Sequence, residues 1–208
     1  MKPTVAILDY GSGNLRSVER ALARVGAEVT VTSDPDLAAR VDGLVVPGVG
    51  AFAACMAGID AIGGRQPIVE RVATGAPVLG ICVGMQVLFR SGTEHGVKTP
   101  GLGLFEADVS RLHAPRVPHM GWNTLRWPAD SALFAGLGPD ARCYFVHSYA
   151  VHPSTALETD GTLVTTAEHG EEFVAAVERG SLWATQFHPE KSGDVGATLL
   201  GNWLGILR

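Results

Sequence analysis

Cysteine is scarce in this chain: Cys55, Cys82 and Cys143 are all there are in 208 residues. Three is an odd number and too few for a disulfide framework. Sparse cysteines point instead to a reducing, intracellular compartment, and a cytoplasmic location is expected. Basic clusters are also missing. The 16 Lys and Arg are outnumbered by 21 Asp and Glu, the net charge is −5, and nucleic acid is an unexpected partner. Aromatics make up only 7% of the chain, yet apolar residues reach 46%, which suits a globular enzyme and excludes a disordered chain. The nearest approach to a membrane span, Gly43 to Ile59, is uncharged. It is shorter than the roughly 20 residues a spanning helix needs, and "VPGVG" breaks it. A buried strand followed by a buried helix explains it better, so no membrane association is expected. The start, "MKPTVAILDYGSGN", lacks the pattern of a signal peptide. Without repeats, low-complexity tracts or linkers, residues 1–208 read as one domain, long enough for a sizeable core.

What is present alternates. "TVAILDY" reads as a buried strand. "NLRSVERALARVG" follows with Leu15, Val18, Leu22 and Val25 at helical spacing and Gly26 as a stop. "EVTVTS" and "DGLVVPG" are further strands. Helices are expected around Ala51 to Ile62 and Ile68 to Thr74, and "APVLGIC" is the next strand. This order implies an α/β fold with a mostly parallel central sheet and helices on both faces. From Gly101 the runs "GLGLFEADVSRL", "NTLRW", "CYFVHSYAVH", "GTLVTTAEH", "EFVAAVERG" and "LWATQFHP" are closely spaced. They imply antiparallel strands in the C-terminal half, with a hairpin turning at Arg179-Gly180. "VGATLLGNWLGIL" closes the chain as a helix.

The chemistry concentrates in three places. Gly80-Ile81-Cys82-Val83-Gly84 has the G-x-nucleophile-x-G form of a strand-to-helix elbow. A tight turn there forces an unusual backbone at Cys82, excludes side chains on its flanks, and sets the sulfur at a helix N-terminus whose dipole favours thiolate. The same pattern also suits a core cysteine, because free cysteines are commonly buried. Cys55 and Cys143 lack flanking glycines and read as core. A nucleophilic thiol needs a base and an orienter. In "ATQFHPEKSG", Pro189 biases His188 toward extended backbone, so His188 and Glu190 lie on one side of the chain. A surface turn is the plain alternative for that stretch. Pro47-Gly48-Val49-Gly50, a loop between a strand and a helix, offers backbone N–H groups for an oxyanion, or is merely a turn. "DYGSGN" fails as a phosphate loop: G-x-G-x-x-G needs glycine where Arg16 stands, and the Walker lysine is missing. The scattered histidines show no metal cluster. No cofactor is expected.

Gly80-Ile81-Cys82-Val83-Gly84-Met85-Gln86, taken with Gln186-Phe187-His188-Pro189-Glu190, resembles the class I, triad-type glutamine amidotransferases, in family order and across the whole chain. "LDYGSGNLRSV", "PGVGAF", "PHMGWN", "YFVHSY" and "HPEKSG" narrow the resemblance to the glutaminase subunits of imidazole glycerol phosphate synthases. Val83 replaces a more usual leucine, and "RVPHMGWN" lacks a lysine often found before the proline. The resemblance implies the three-layer class I amidotransferase fold and hydrolysis of L-glutamine to glutamate and ammonia. Cys82 would be the nucleophile, His188 the acid and base, and Glu190 the orienter of His188. N–H groups near Val49-Gly50 and of Val83 would hold the oxyanion. Gly50, Gln86, Glu94, Ser148 and Tyr149 would bind glutamine, although Gln86 could face solvent, Tyr149 could be strand packing, and Glu94 falls in what reads as an irregular loop. The implied partner is a separate TIM-barrel cyclase, in a heterodimer. It would use the ammonia to make imidazole glycerol phosphate and an aminoimidazole carboxamide ribotide for histidine biosynthesis. Asn14, His119, Met120, Gly121, Trp122 and Asn123 would form the docking face, with Trp122 either an interface anchor or a core residue. A glutaminase of another pathway, a self-contained γ-glutamyl cysteine hydrolase and a non-catalytic module are the rival readings.

Overall fold

The computed structural model describes residues 1–207, without the side chain of Glu158. Strands and helices alternate through the first half: β1 (Thr4–Leu8), α1 (Leu15–Arg24), β2 (Glu28–Thr32), α2 (Pro35–Arg40), β3 (Gly43–Gly48), α3 (Phe52–Ala61), α4 (Arg65–Thr74) and β4 (Val78–Cys82). Val5 to Leu8, Gly43 to Gly48 and Val78 to Cys82 are buried, the continuous apolar signature of strands covered on both faces. Helix α1 forms where the sequence spacing places it. Val18 and Leu22 are buried, Leu15 and Val25 pack beside them, and Gly26 leaves the helix at φ +109°.

One helix, α2, is absent from the sequence reading. Its start signal is local: the Asp34 carboxylate accepts the Asp36 N–H at 2.9 Å, and Pro35 occupies the first turn. Buried Arg71 of α4 then ties α2 to the sheet, donating to the carbonyls of Ala39, Val41, Asp42 and Pro77.

After β4 the helix over Val83–Gln86 (α5), the one expected to begin at the elbow, lasts a single turn. Phe89 and the residues beyond it are drawn into a second sheet instead. That sheet contains β5 (Phe89–Glu94), β6 (Val97–Pro100), β7 (Phe105–Arg111) and β10 (Tyr149–Val151), in the order β10-β7-β5-β6. Strands β8 (His119–Thr124) and β9 (Arg142–His147) form a separate antiparallel ribbon. The short α6 (Thr155–Glu158) leads to β11 (Leu163–Glu168), β12 (Glu172–Arg179) and β13 (Leu182–Thr185), and α7 (Gly193–Gly205) ends the chain.

The main sheet has the order β11-β12-β13-β4-β3-β1-β2. Strands β2, β1, β3, β4 and β13 are parallel; β12 and β11 add antiparallel strands at one edge. The mixed sheet and the hairpin after Arg179 match the expectation. The carboxyl ends of β3, β4 and β13 lie side by side, which is where open α/β sheets place their sites.

Candidate active site

Cys82 ends β4 with φ 58° and ψ −114°, a left-handed backbone that a non-glycine residue rarely adopts. Such a conformation costs about 1–3 kcal/mol and persists only when the surroundings hold it. Here they do. A Cβ on Gly84 would sit 1.9 Å from the Val46 carbonyl oxygen, and one on Gly80 would meet Gly84 O at 2.8 Å and Leu88 Cδ1 at 2.9 Å. The two glycines let the elbow press against β3 and against its own helix. With α5 only four residues long, the helix dipole is a smaller aid to the sulfur than the sequence suggested.

The sulfur opens into a cavity of about 480 Å³. Its walls include Val49, Gly50, Val83, Gln86, Glu94, Ser148, Tyr149 and His188, so the structure brings together every sequence-predicted residue of the catalytic, oxyanion and substrate groups except Glu190. Glu190 sits behind His188: Oε1 lies 2.8 Å from His188 Nδ1, with both side chains almost wholly buried. The other ring nitrogen, Nε2, is buried without a partner among the described residues. Burial alone would lower the basicity of this imidazole. The Cys82 sulfur and the Glu190 carboxylate outweigh it and raise the pKa to about 9.

Glu94 is no loop residue. It ends β5, in a two-residue hairpin whose His95 and Gly96 both have positive φ. Its Oε2 accepts the Phe52 N–H at 2.9 Å, so the carboxylate caps α3 right beside Gly50-Ala51. Gln86 does not face solvent. It is buried, donating to Tyr149 O and to Gln186 Oε1, both at 2.8 Å.

The loop expected to hold an oxyanion differs from the sequence picture in one respect. The Val49 N–H points to Ser12 Oγ at 3.0 Å, and Ser12 Oγ in turn donates to Val49 O at 2.6 Å. Val49 lines the cavity, but its donor is engaged elsewhere. Gly50 carries φ +91° with open space where a Cβ would stand. Val83 N–H opens α5, where helical N–H groups lack intrahelical acceptors.

Strand β8 alternates. Met120 and Trp122 are 63% and 53% exposed, which removes the reading of Trp122 as a core residue. Asn14 is exposed, and Gly121 and Asn123 are half-buried. His119 is buried and turns inward, its Nδ1 2.9 Å from His147 Nε2. Burial drives both imidazoles to their neutral forms, lowering His119 to about 4 and His147 to about 3.

This geometry can be compared with known proteins. The glutamine amidotransferase class-I family model matches residues 6–204. The chain belongs to the class I glutamine amidotransferases. Within that family it is 60% identical, over the full length of both chains, to an imidazole glycerol phosphate synthase subunit HisH of Thermobifida fusca. It is 61% identical to the subunit of the same name from Mycobacterium tuberculosis, covering 97% of each chain. A crystal structure titled glutamine amidotransferase shares the fold at TM-score 0.74 and 23% identity, covering 97% of this chain and 99% of that one. Among the described residues of this amidotransferase no helix is long and apolar enough to cross a membrane.

Sequence reasoning passed over Gln186, His147 and Ser12. The first had a signal: Gln186, His188 and Glu190 share the two-residue period that puts side chains on one side. Ser12 had none, because its partner Val49 lies 37 residues away.

Proposed function

We propose that this chain is the glutaminase subunit of an imidazole glycerol phosphate synthase, acting as one catalytic domain over residues 1–208. The observation that carries the reading is the buried His188–Glu190 pair beside a cysteine on a strained elbow. Cys82 Sγ attacks the side-chain amide carbon of glutamine. N–H groups of Val83 and of the Val49-Gly50 loop receive the oxyanion. His188, basic enough to carry a proton at neutral pH, hands it to the departing ammonia and leaves a γ-glutamyl thioester. The same imidazole then takes a proton from water, which attacks the thioester and frees glutamate. Glu190 accepts from Nδ1–H and fixes which nitrogen faces the reaction. Gln86, Glu94, Ser148 and Tyr149, with Gly50, hold the glutamine backbone groups.

The ammonia passes to a TIM-barrel cyclase in a cytoplasmic heterodimer, which makes imidazole glycerol phosphate and the carboxamide ribotide for histidine biosynthesis. Met120 and Trp122 are the apolar anchors of the docking face, with Asn14, Gly121 and Asn123 around them; His119 supports that face from behind. The Val49 N–H must leave Ser12 before it can serve an oxyanion. Docking near β8 and the 49–50 loop supplies the bias, so the free chain hydrolyses glutamine slowly.

The test is glutamate release with and without the cyclase, together with labelling by a glutamine-like electrophile. Partner-dependent turnover and a label on Cys82 alone are expected. Full turnover by the free chain would favour the self-contained hydrolase.

A further inference from the structure

A line of polar groups runs from the docking strand to the nucleophile, and its direction is fixed at both ends. At one end Asn123 Nδ2 donates to Glu168 O at 2.9 Å and Asn123 Oδ1 accepts Thr124 N–H at 2.9 Å. The second Nδ2 hydrogen therefore faces His119 Nε2, 3.3 Å away, which must be a bare acceptor. In a neutral imidazole the proton is then on Nδ1, and Nδ1–H points to His147 Nε2 at 2.9 Å. His147 Nε2 is an acceptor in its turn, so its proton is on Nδ1, 3.0 Å from the Tyr149 carbonyl. That carbonyl can only accept, which demands the same tautomer from the other side.

The same oxygen orients the next pair. Gln86 Nε2 donates to Tyr149 O, so the Gln86 amide cannot be reversed. Its second hydrogen goes to Gln186 Oε1, which leaves Gln186 Nε2 toward Cys82 Sγ at 3.8 Å. Gln186 is fully buried and Gln86 nearly so. Each bond in the line pairs one donor with one acceptor, with the Tyr149 carbonyl as the common anchor of its two halves. An amide N–H held against a sulfur favours the thiolate.

We propose that Gln186 is a further catalytic residue, its side-chain N–H steadying the Cys82 thiolate, and that His119 and His147 are positioning residues that hold the Tyr149 carbonyl from which Gln86 and Gln186 take their orientation. The proposal rests on Cys82 being the nucleophile. It adds a donor that acts on the sulfur before substrate arrives, and it ties that donor to Asn123 on the strand offered to the partner.

The experiment uses the full-length chain and iodoacetamide, a neutral probe that needs no glutamine site. Gln186→Met is expected to slow alkylation of Cys82 at pH 7 by about tenfold, the scale of a hydrogen bond to a charged group. Should that variant fail to fold, Gln86→Met reads the same effect, because it frees the Gln186 amide to turn. In parallel, ¹⁵N spectra of the parent should show His119 and His147 both protonated on Nδ1. An Nε2–H tautomer at either histidine overturns the proposed direction. A reactive Cys82 that is indifferent to both glutamine substitutions overturns the proposal while leaving the nucleophile reading intact. An inert Cys82 in the parent, with Cys55 or Cys143 reacting instead, removes both.

Discussion

Cys82 and Val49 face one cavity from the ends of neighbouring strands, with Gly48 and Cys82 as register partners. Their surroundings are unlike. Around Cys82 the backbone of β3, β4 and α5 packs too closely to admit a single extra Cβ. His188 and Glu190 are locked in burial beside it. Val49 is 43% exposed, the Gly50 next to it has open space on its Cβ side, and the loop's N–H rests on one serine hydroxyl. Gly48, just upstream, belongs with the rigid side: a Cβ there would meet Gly84 N at 2.5 Å. Any peptide rotation in this loop is thus confined to Val49 and Gly50. One half of the proposed catalytic apparatus is assembled and stiff. The other is held in a non-donating arrangement by a bond that is cheap to exchange. The comparison teaches where control could act without disturbing the surroundings of Cys82.

The rigid half can be broken outright. Cys82→Ala should reduce partner-stimulated glutamate release by roughly 10⁶-fold, the scale for loss of a triad nucleophile. Loss of covalent labelling with unchanged melting temperature would confirm that the effect is chemical. Glu190→Gln should lower turnover by up to about 10⁴-fold while glutamine affinity holds. It should hurt less than His188→Ala; the reverse ranking in steady-state kinetics would contradict the orienter role.

The loose half is where the proposed partner response is tested. Trp122→Ala should weaken cyclase binding by about 2 kcal/mol, or roughly 30-fold in Kd by calorimetry, as for an aromatic anchor. The melting temperature of the free chain should not change, because the ring is half exposed. Ser12→Ala releases the Val49 N–H. Partner-free glutaminase activity should then rise several-fold, a fraction of the roughly 10²–10³ that an oxyanion donor supplies. Unchanged basal activity would show that the Ser12 bond does not hold the loop.

Stability against pH tests the buried imidazoles themselves, and it has two limbs. His188 carries a raised pKa of about 9, so its contribution is full below about 6.5 and is lost as pH rises toward 9. His119 and His147 are lowered by burial, so their contribution is full above about 6.5 and is lost as pH falls toward 4 and 3. Each group changes stability by up to about 1.4 kcal/mol per pH unit inside its window. Thermal melts from pH 4.5 to 8.5 should peak near pH 6.5, and His119→Leu should flatten the acid limb.

The two halves were not equally legible. The apolar periods of β1, β3, β4 and α1 and the glycines around Cys82 reveal a parallel sheet and an elbow, because local sterics and burial dictate them. The spacing of His188 and Glu190 works the same way. Helix α2 was readable from Asp34-Pro35 and was overlooked. The single-turn length of α5 was not readable, since Phe89 and its neighbours leave the helix only to pair with β7, a long-range choice. Glu94 looked loop-like because Glu94-His95-Gly96 is a turn signal, and only pairing with Val97 makes it a strand end.

By itself the sequence determined the α/β layering, the strained cysteine and the side-by-side placing of His188 and Glu190, all set by contacts between near neighbours or by period. Tertiary structure alone decided that the Val49 N–H belongs to Ser12, that His119 turns inward while Trp122 turns out, and that Gln86 and Gln186, 100 residues apart, share a hydrogen bond beside the sulfur. Those are partnerships between distant segments. Hydrogen bonding constrains which groups must be satisfied when buried, but only the packed chain selects the partner that satisfies them.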